Sequence, residues 1–162
     1  EKFGSFSGLK MCFIGDGNNM ANSLIVGGLK VGMNVAVATP DGYKPDGAVL
    51  EFTKAYGDKF ALESDPFMAA AGADIVITDT WTSMGEEAEK EERKRIFKDY
   101  QINKQLLAAA NAGAMVMHCL PAYRGQEITE EVFEEHADEI FNEAENRLHA
   151  QKAVMVKLMR KD

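Results

Sequence analysis

The stretch Leu9-Lys10-Met11-Cys12-Phe13-Ile14-Gly15-Asp16-Gly17-Asn18-Asn19-Met20, followed further on by Asn34-Val35-Ala36-Val37-Ala38, decides how this chain folds. Residues 9–14 read as a strand, apolar without polar alternation from Met11 to Ile14, the pattern of a strand buried on both faces. Residues 20–31 set Leu24, Ile25, Gly28 and Leu29 on one side of a helix. Asn34–Ala38 is a second buried run, stopped by Pro40-Asp41-Gly42, where Pro and Gly suit a turn. A strand, a helix and a strand in immediate succession form the repeating unit of a parallel sheet covered by helices.

The alternation continues outward from this unit. The pattern predicts a helix over 47–56, a weak edge strand at Phe60–Glu63, a short helix over 66–71 and a strong strand over 74–78. Helices over 86–97 and 103–110 lead to a strand over 114–117 and a helix over 129–136. Ile140-Phe141 reads as a short strand before a last helix over 144–159. The expected fold class is therefore α/β: a doubly wound, Rossmann-like parallel sheet with helices on both faces, in a single domain spanning 9–162. Residues 1–8 read as a connecting segment in which only Phe3 and Phe6 are core-like. The last helix is apolar all round at Ala153-Val154-Met155-Val156, with Leu158 and Met159 close behind. A surface helix of a monomer shows one apolar stripe about 100° wide, so this one is expected to need a second partner.

Composition narrows the function classes. A hydrophobic fraction of 46% and a charged fraction of 27% are those of an ordinary soluble domain. The net charge of −8 leaves no basic stripe for nucleic acid or anionic lipid. The acidic runs at 86–92 and Glu130–Glu135 read as solvated helix faces. Two cysteines are too few for a disulfide framework and favour a reducing, cytoplasmic setting. No apolar run approaches the roughly 20 residues of a membrane helix.

Three polar loops follow three of the strands and would converge at the carboxyl end of the sheet. The first is Gly15-Asp16-Gly17-Asn18-Asn19. Met20 stands where the third glycine of a dinucleotide-binding G-x-G-x-x-G belongs, and no acidic residue closes the second strand. Its asparagines can cap the helix or present amides to a carboxylate at the helix's positive end. The second loop is Asp79-Thr80-Trp81-Thr82-Ser83-Met84-Gly85, in which Asp79 can cap the loop or hold a cationic amine and Gly85 can act as a hinge. The third is His118-Cys119-Leu120-Pro121, where the thiol is either a small buried hydrophobe or a group set in a polar pocket. Near the start of the last helix, Glu143-Ala144-Glu145-Asn146-Arg147 offers an arginine fork to an oxyanion or a salt-bridge partner. His136 and His149 lack metal-ligand spacing and read as surface residues.

In their order and spacing, these four motifs resemble the carboxy-terminal, ornithine-binding half of the ornithine carbamoyltransferases. The likeness covers nearly the whole chain, and Cys119 stands where the aspartate-specific relatives are expected to carry proline. The resemblance implies transfer of a carbamoyl group from carbamoyl phosphate to the δ-amine of L-ornithine, giving citrulline and phosphate, with no metal and no organic cofactor. It implies that Asn19, Asp79, Ser83 and Met84 bind ornithine. It also implies that Cys119 and Leu120 sit at the reacting centre, Cys119 as proton acceptor or steering group beside the δ-amine, and that Arg147 contacts carbamoyl phosphate. Asp79 and Cys119 are the candidate catalytic pair. The family's amino-terminal domain, with its Ser-x-Arg-Thr phosphate loop and His-Pro-x-x-Gln motif, has no counterpart in residues 1–162. The chain alone is therefore expected to be inactive, and the full-length enzyme a homotrimer or larger. A stand-alone amino-acid-binding or interaction module on the same fold is the alternative reading. A nucleotide-binding oxidoreductase domain is a third, which the missing glycine opposes.

Overall fold

Five parallel strands, β1 (Lys10–Ile14), β2 (Asn34–Ala38), β3 (Phe60–Glu63), β4 (Ile75–Thr78) and β5 (Met115–His118), form one sheet in the order β3-β2-β1-β4-β5. The computed structural model describes residues 1–82 and 87–160. Seven α-helices are described: α1 (Asn19–Lys30), α2 (Gly47–Thr53), α3 (Pro66–Ala70), α4 (Lys90–Phe97), α5 (Lys104–Leu107), α6 (Glu130–Glu135) and α7 (Ala137–Met159).

Strand parity sorts the core into two layers, because successive side chains point to opposite faces. Odd-numbered Met11, Phe13, Val35, Val37 and Ile77 pack with Ile25 and Leu29 of α1. Even-numbered Cys12, Ile14, Ala36, Val76 and Val116 pack with Ala69 of α3, Phe97 of α4, Leu106 of α5 and Val132 of α6. Gly28 lets α1 come down on the sheet: a Cβ there would lie 2.8 Å from Met11 Cε and 2.9 Å from Val35 Cγ2.

The odd face is not covered evenly. Beyond α1 it opens into a groove of about 950 Å³ between the first residues of the chain and α7, floored by Ile75, Met115 and Met117. Phe3 and Phe6 line this groove and stay exposed, so they do not join the core as their hydrophobicity suggested. On α7, Val154, Met155, Val156, Leu158 and Met159 are all exposed, Leu158 by 80%. The last helix thus carries exposed apolar side chains where its sequence is apolar all round.

Three expected elements differ, the first being the helix expected over 103–110, which stops at Leu107 and gives way to turns. Ile140-Phe141 is helical, and the last helix begins at Ala137. Ile140 is fully buried and Phe141 is 54% exposed, as neighbours 100° apart on a helix can be; two residues were too few to reveal that period. The helix expected over 47–56 stops at Thr53 and tightens into a 3₁₀ segment, Lys54–Lys59, kinked in its interior at Gly57, φ 54°.

At β5, α7 lies along the sheet's outer side. Glu139 accepts from the Val116 N–H at 3.0 Å, and the His118 N–H reaches Glu143 one turn further on. Four helical residues rise about 6 Å and two strand residues about 6.6 Å, so the two carboxylates match alternate outward amides. Glu139 also pairs with Lys2 and with His136. His136 is thus half-buried rather than the plain surface residue its spacing suggested.

Two glycine substitutions test the packing. A Cβ at Gly17 would land on the backbone of Lys44 and Pro45, so Gly17→Ala is expected to lower stability by about 1–3 kcal/mol through overpacking. Gly27, exposed within α1 with nothing near its missing Cβ, should gain about 0.5–1 kcal/mol as alanine. Denaturant midpoints at constant m-value read both, and equal shifts for the two variants would contradict this packing.

Candidate functional site

Register builds the site. Ile14 lies opposite Thr78, and Thr78 opposite His118, so the next residues, Gly15, Asp79 and Cys119, leave three adjacent strands side by side. Strand order reverses between β1 and β4, the place where open α/β sheets bind their ligands. The Thr78 hydroxyl, fully buried, donates to the Ile14 carbonyl at 2.7 Å and ties the two central strands together at this edge.

Asp79 is nearly buried and accepts from three directions: the Thr80 N–H at 2.7 Å, the Cys119 thiol at 3.1 Å and the Asn18 amide at 3.0 Å. Asn18 is at the same time the cap of α1, its Oδ1 accepting from the N–H groups of Met20 and Ala21. This divides the labour of the two asparagines. Asn18 holds the loop and Asp79, while Asn19, exposed at the first turn of α1, is open to a ligand. Asn18 escaped the sequence reading as a site residue, although two polar amides where one suffices for a cap were the signal.

The thiol of Cys119 is pushed well above its ordinary range, first by burial, then by its hydrogen bond to Asp79 and the negative charges of Asp79 and Glu143. It is therefore a proton donor in this geometry. Glu143 is itself raised, chiefly by burial and further by the charge of Asp79, against the opposing pull of His118 and its N–H.

His118 is fully buried and sets the third loop. The Leu120 N–H donates to its Nδ1 at 2.9 Å, which leaves the ring proton on Nε2, facing Glu127 at 3.0 Å. The same Glu127 oxygen accepts from the Tyr123 N–H at 2.6 Å. Leu120 is held at φ 55°, a region that costs a non-glycine residue on the order of 1 kcal/mol. Neither His118 nor Glu127 was named among the site residues, and nothing in their spacing marks them as a pair. Asp79, His118 and Cys119 each offer an atom within 4.8 Å of the others, as a cation site would. Both His118 nitrogens are already engaged, however, so the donor set does not fit a metal as it stands.

Of the expected ornithine ligands, Asp79, Cys119 and Leu120 come together at one mouth and Asn19 stands at the neighbouring one. Ser83 and Met84, with the Gly85 hinge, lie outside the described residues. Arg147 is exposed on α7 and is not among the partners of Asp79. Gly17 is consumed by the close passage of Lys44-Pro45, which removes the backbone opening that a dinucleotide's pyrophosphate would use.

Cys119 is expected to react slowly with a thiol reagent at pH 8, its rate climbing about tenfold per pH unit to pH 9 without levelling, because only the thiolate attacks. Cys12, sealed in β1 and pushed up to about 12 mainly by burial, should stay silent. A rate plateau below pH 8 would mean that the thiolate already exists at neutrality.

Relatives share both the sequence and the architecture. An ornithine carbamoyltransferase of Gloeobacter violaceus is 55% identical, the match taking in 98% of this chain and 52% of that protein. One from Methanosarcina acetivorans is 54% identical over 96% of this chain and 51% of its own length. The structure of ornithine carbamoyltransferase from Pyrococcus furiosus superposes with a TM-score of 0.88 at 47% identity, over 96% of this chain and 51% of that one. The chain spans about half the length of the curated relatives it matches. With residues 7–158 matching the model described as aspartate/ornithine carbamoyltransferase, Asp/Orn binding domain, the chain belongs to the aspartate/ornithine carbamoyltransferase family.

Proposed function

We propose that this domain is the ornithine-binding half of an ornithine carbamoyltransferase, which joins L-ornithine and carbamoyl phosphate to give L-citrulline and phosphate. The observation that carries the reading is the Asp79 carboxylate, held by Asn18 and the Cys119 thiol at the switch point of the sheet. A nearly buried carboxylate whose neighbours are neutral donors has charge to spare for a ligand ammonium, and Asn19 beside it suits the ligand's carboxylate at the α1 N-terminus.

In this reading Asp79 holds an amine of ornithine and draws its proton away, since the thiol, itself protonated, cannot. Cys119 steers: it fixes the Asp79 oxygen and presents its sulfur to the reacting nitrogen. Leu120 closes the same wall, with Ser83 and Met84 completing the ornithine set. Attack requires a neutral amine in line with the carbonyl, and the departing phosphate requires positive charge. Arg147 contributes some of that charge, and a further domain of the gene product supplies the rest. The working protein is an oligomer of such subunits, a homotrimer or larger, acting in the cytoplasm.

Asp79→Asn is the test, made in the whole gene product. A hydrogen bond to a charged group contributes about 1.5–3 kcal/mol, so ornithine binding by calorimetry should weaken at least about tenfold, while unfolding stability falls by about 1–3 kcal/mol because the new NH2 leaves one of the donors facing position 79 unmatched. Unchanged ornithine affinity with a lowered Tm would reduce Asp79 to a loop cap and remove the reading's main support.

A further inference from the structure

Arg93 sits in α4 within the run Lys90-Glu91-Glu92-Arg93-Lys94-Arg95. Its neighbours Glu91, Glu92 and Lys94 conform to a solvated helix face, but Arg93 is only 3% exposed. Its guanidinium has five described neighbours, one of them Glu89 at the cap of its own helix, whose carboxylate lies 3.8 Å from Nη1. Nη2 is paired with Asp16, in the loop after β1, and Nε donates to the Trp81 carbonyl, in the loop after β4. The guanidinium carbon also lies 4.8 Å from the centre of the Tyr43 ring, which follows β2, and 5.3 Å from that of Phe97. Tyr43 and Trp81 each pack on Phe97, so the charge is enclosed by rings.

Burying a guanidinium is costly unless its donors are met and its charge is balanced. Here two of the donors go to loops that flank the switch point, Nη2 to one and Nε to the other. A planar fork can hold both partners at one fixed separation, which an ammonium cannot. What this fixes is the distance between the loop of Asn18 and Asn19 and the loop that begins at Asp79. That distance also sets the 3.0 Å contact between Asn18 and Asp79.

We infer that Arg93 is a positioning residue for the amino-acid substrate: by bridging Asp16 and the Trp81 carbonyl it sets the spacing between Asn19 and Asp79, and with it the affinity for ornithine. The inference rests on the function proposed above. The two loops that Arg93 joins carry the groups assigned to ornithine, so its effect is expected on that substrate.

Steady-state citrulline formation by the whole gene product tests this, with each substrate varied in turn and Arg93→Gln, Arg93→Lys, Asp16→Asn and the Arg93→Gln/Asp16→Asn double variant compared. Arg93→Gln should raise the KM for ornithine at least about tenfold, leave the KM for carbamoyl phosphate within about twofold, and lower kcat far less than kcat/KM for ornithine. Arg93→Lys, which keeps the charge and loses the fork, should fall between. Asp16→Asn should copy Arg93→Gln, and the double variant should be no worse than either single one. The inference is overturned if the ornithine KM is unchanged, if both KM values rise together, or if all the variants are unfolded at the assay temperature, since the bridge would then be purely structural. If the unaltered gene product forms no citrulline, it is the proposed function that fails; if the unaltered protein is active and the variants match it, the failure belongs to Arg93 alone.

Discussion

Ile14, Thr78 and His118 stand level across three neighbouring parallel strands, and the chemistry at the mouth of the sheet depends on that row. A slip of one residue in β4 would turn Thr78 out of its bond to the Ile14 carbonyl and send Asp79 to the opposite face. The row is kept by burial on both sides. Met11, Phe13, Ile75 and Ile77 are held by one layer, and Cys12, Ile14, Val76 and Val116 by the other. Hydrophobic packing therefore fixes where the polar groups begin, and the loops need only supply chemistry.

Three buried polar units hang from this row, and each depends on pairing. Asp79 is met by neutral donors, His118 by Glu127, and Arg93 by Asp16 and a carbonyl. Removing one member of such a pair leaves the other desolvated and unmatched, which costs far more than the pair contributes. Pairs such as Lys104 with Glu131 and Glu135 lie in solvent on both sides, and interactions of that kind are weak and screened. Rigidity at the mouth thus comes from a few enclosed charges, while the many exposed ones keep the surface soluble.

The sequence made much of this readable, and the physical reason is period. Strands Asn34–Ala38 and Phe60–Glu63 fall where their apolar runs place them, and the loops bearing Asp79 and Cys119 follow strands as expected. What stayed hidden depends on tertiary pairing. Arg93 looks like any charge in an acidic-basic run until Asp16, 77 residues earlier, folds beside it. Glu127 meets His118 only because the intervening loop doubles back through Tyr123. Ile140 was misread because a two-residue apolar pair fits a strand as well as one turn of a helix. The groove beside Phe3 and Phe6 is invisible to composition, since hydrophobicity does not say which face lacks a cover.

The carboxylates of Glu139 and Glu143 along β5 have a consequence for colloidal behaviour. A parallel sheet with a bare outer strand offers a row of amides onto which any extended peptide can add, and growth by strand addition is the start of fibrous aggregation. At β5 that row is already answered from within the chain, by acceptors spaced to match it. The other border, β3, is as short as β5, four residues, and a short edge offers few amides to a newcomer. Addition through the backbone at β5 is therefore disfavoured, and the exposed apolar side chains of α7 are the stickier surface.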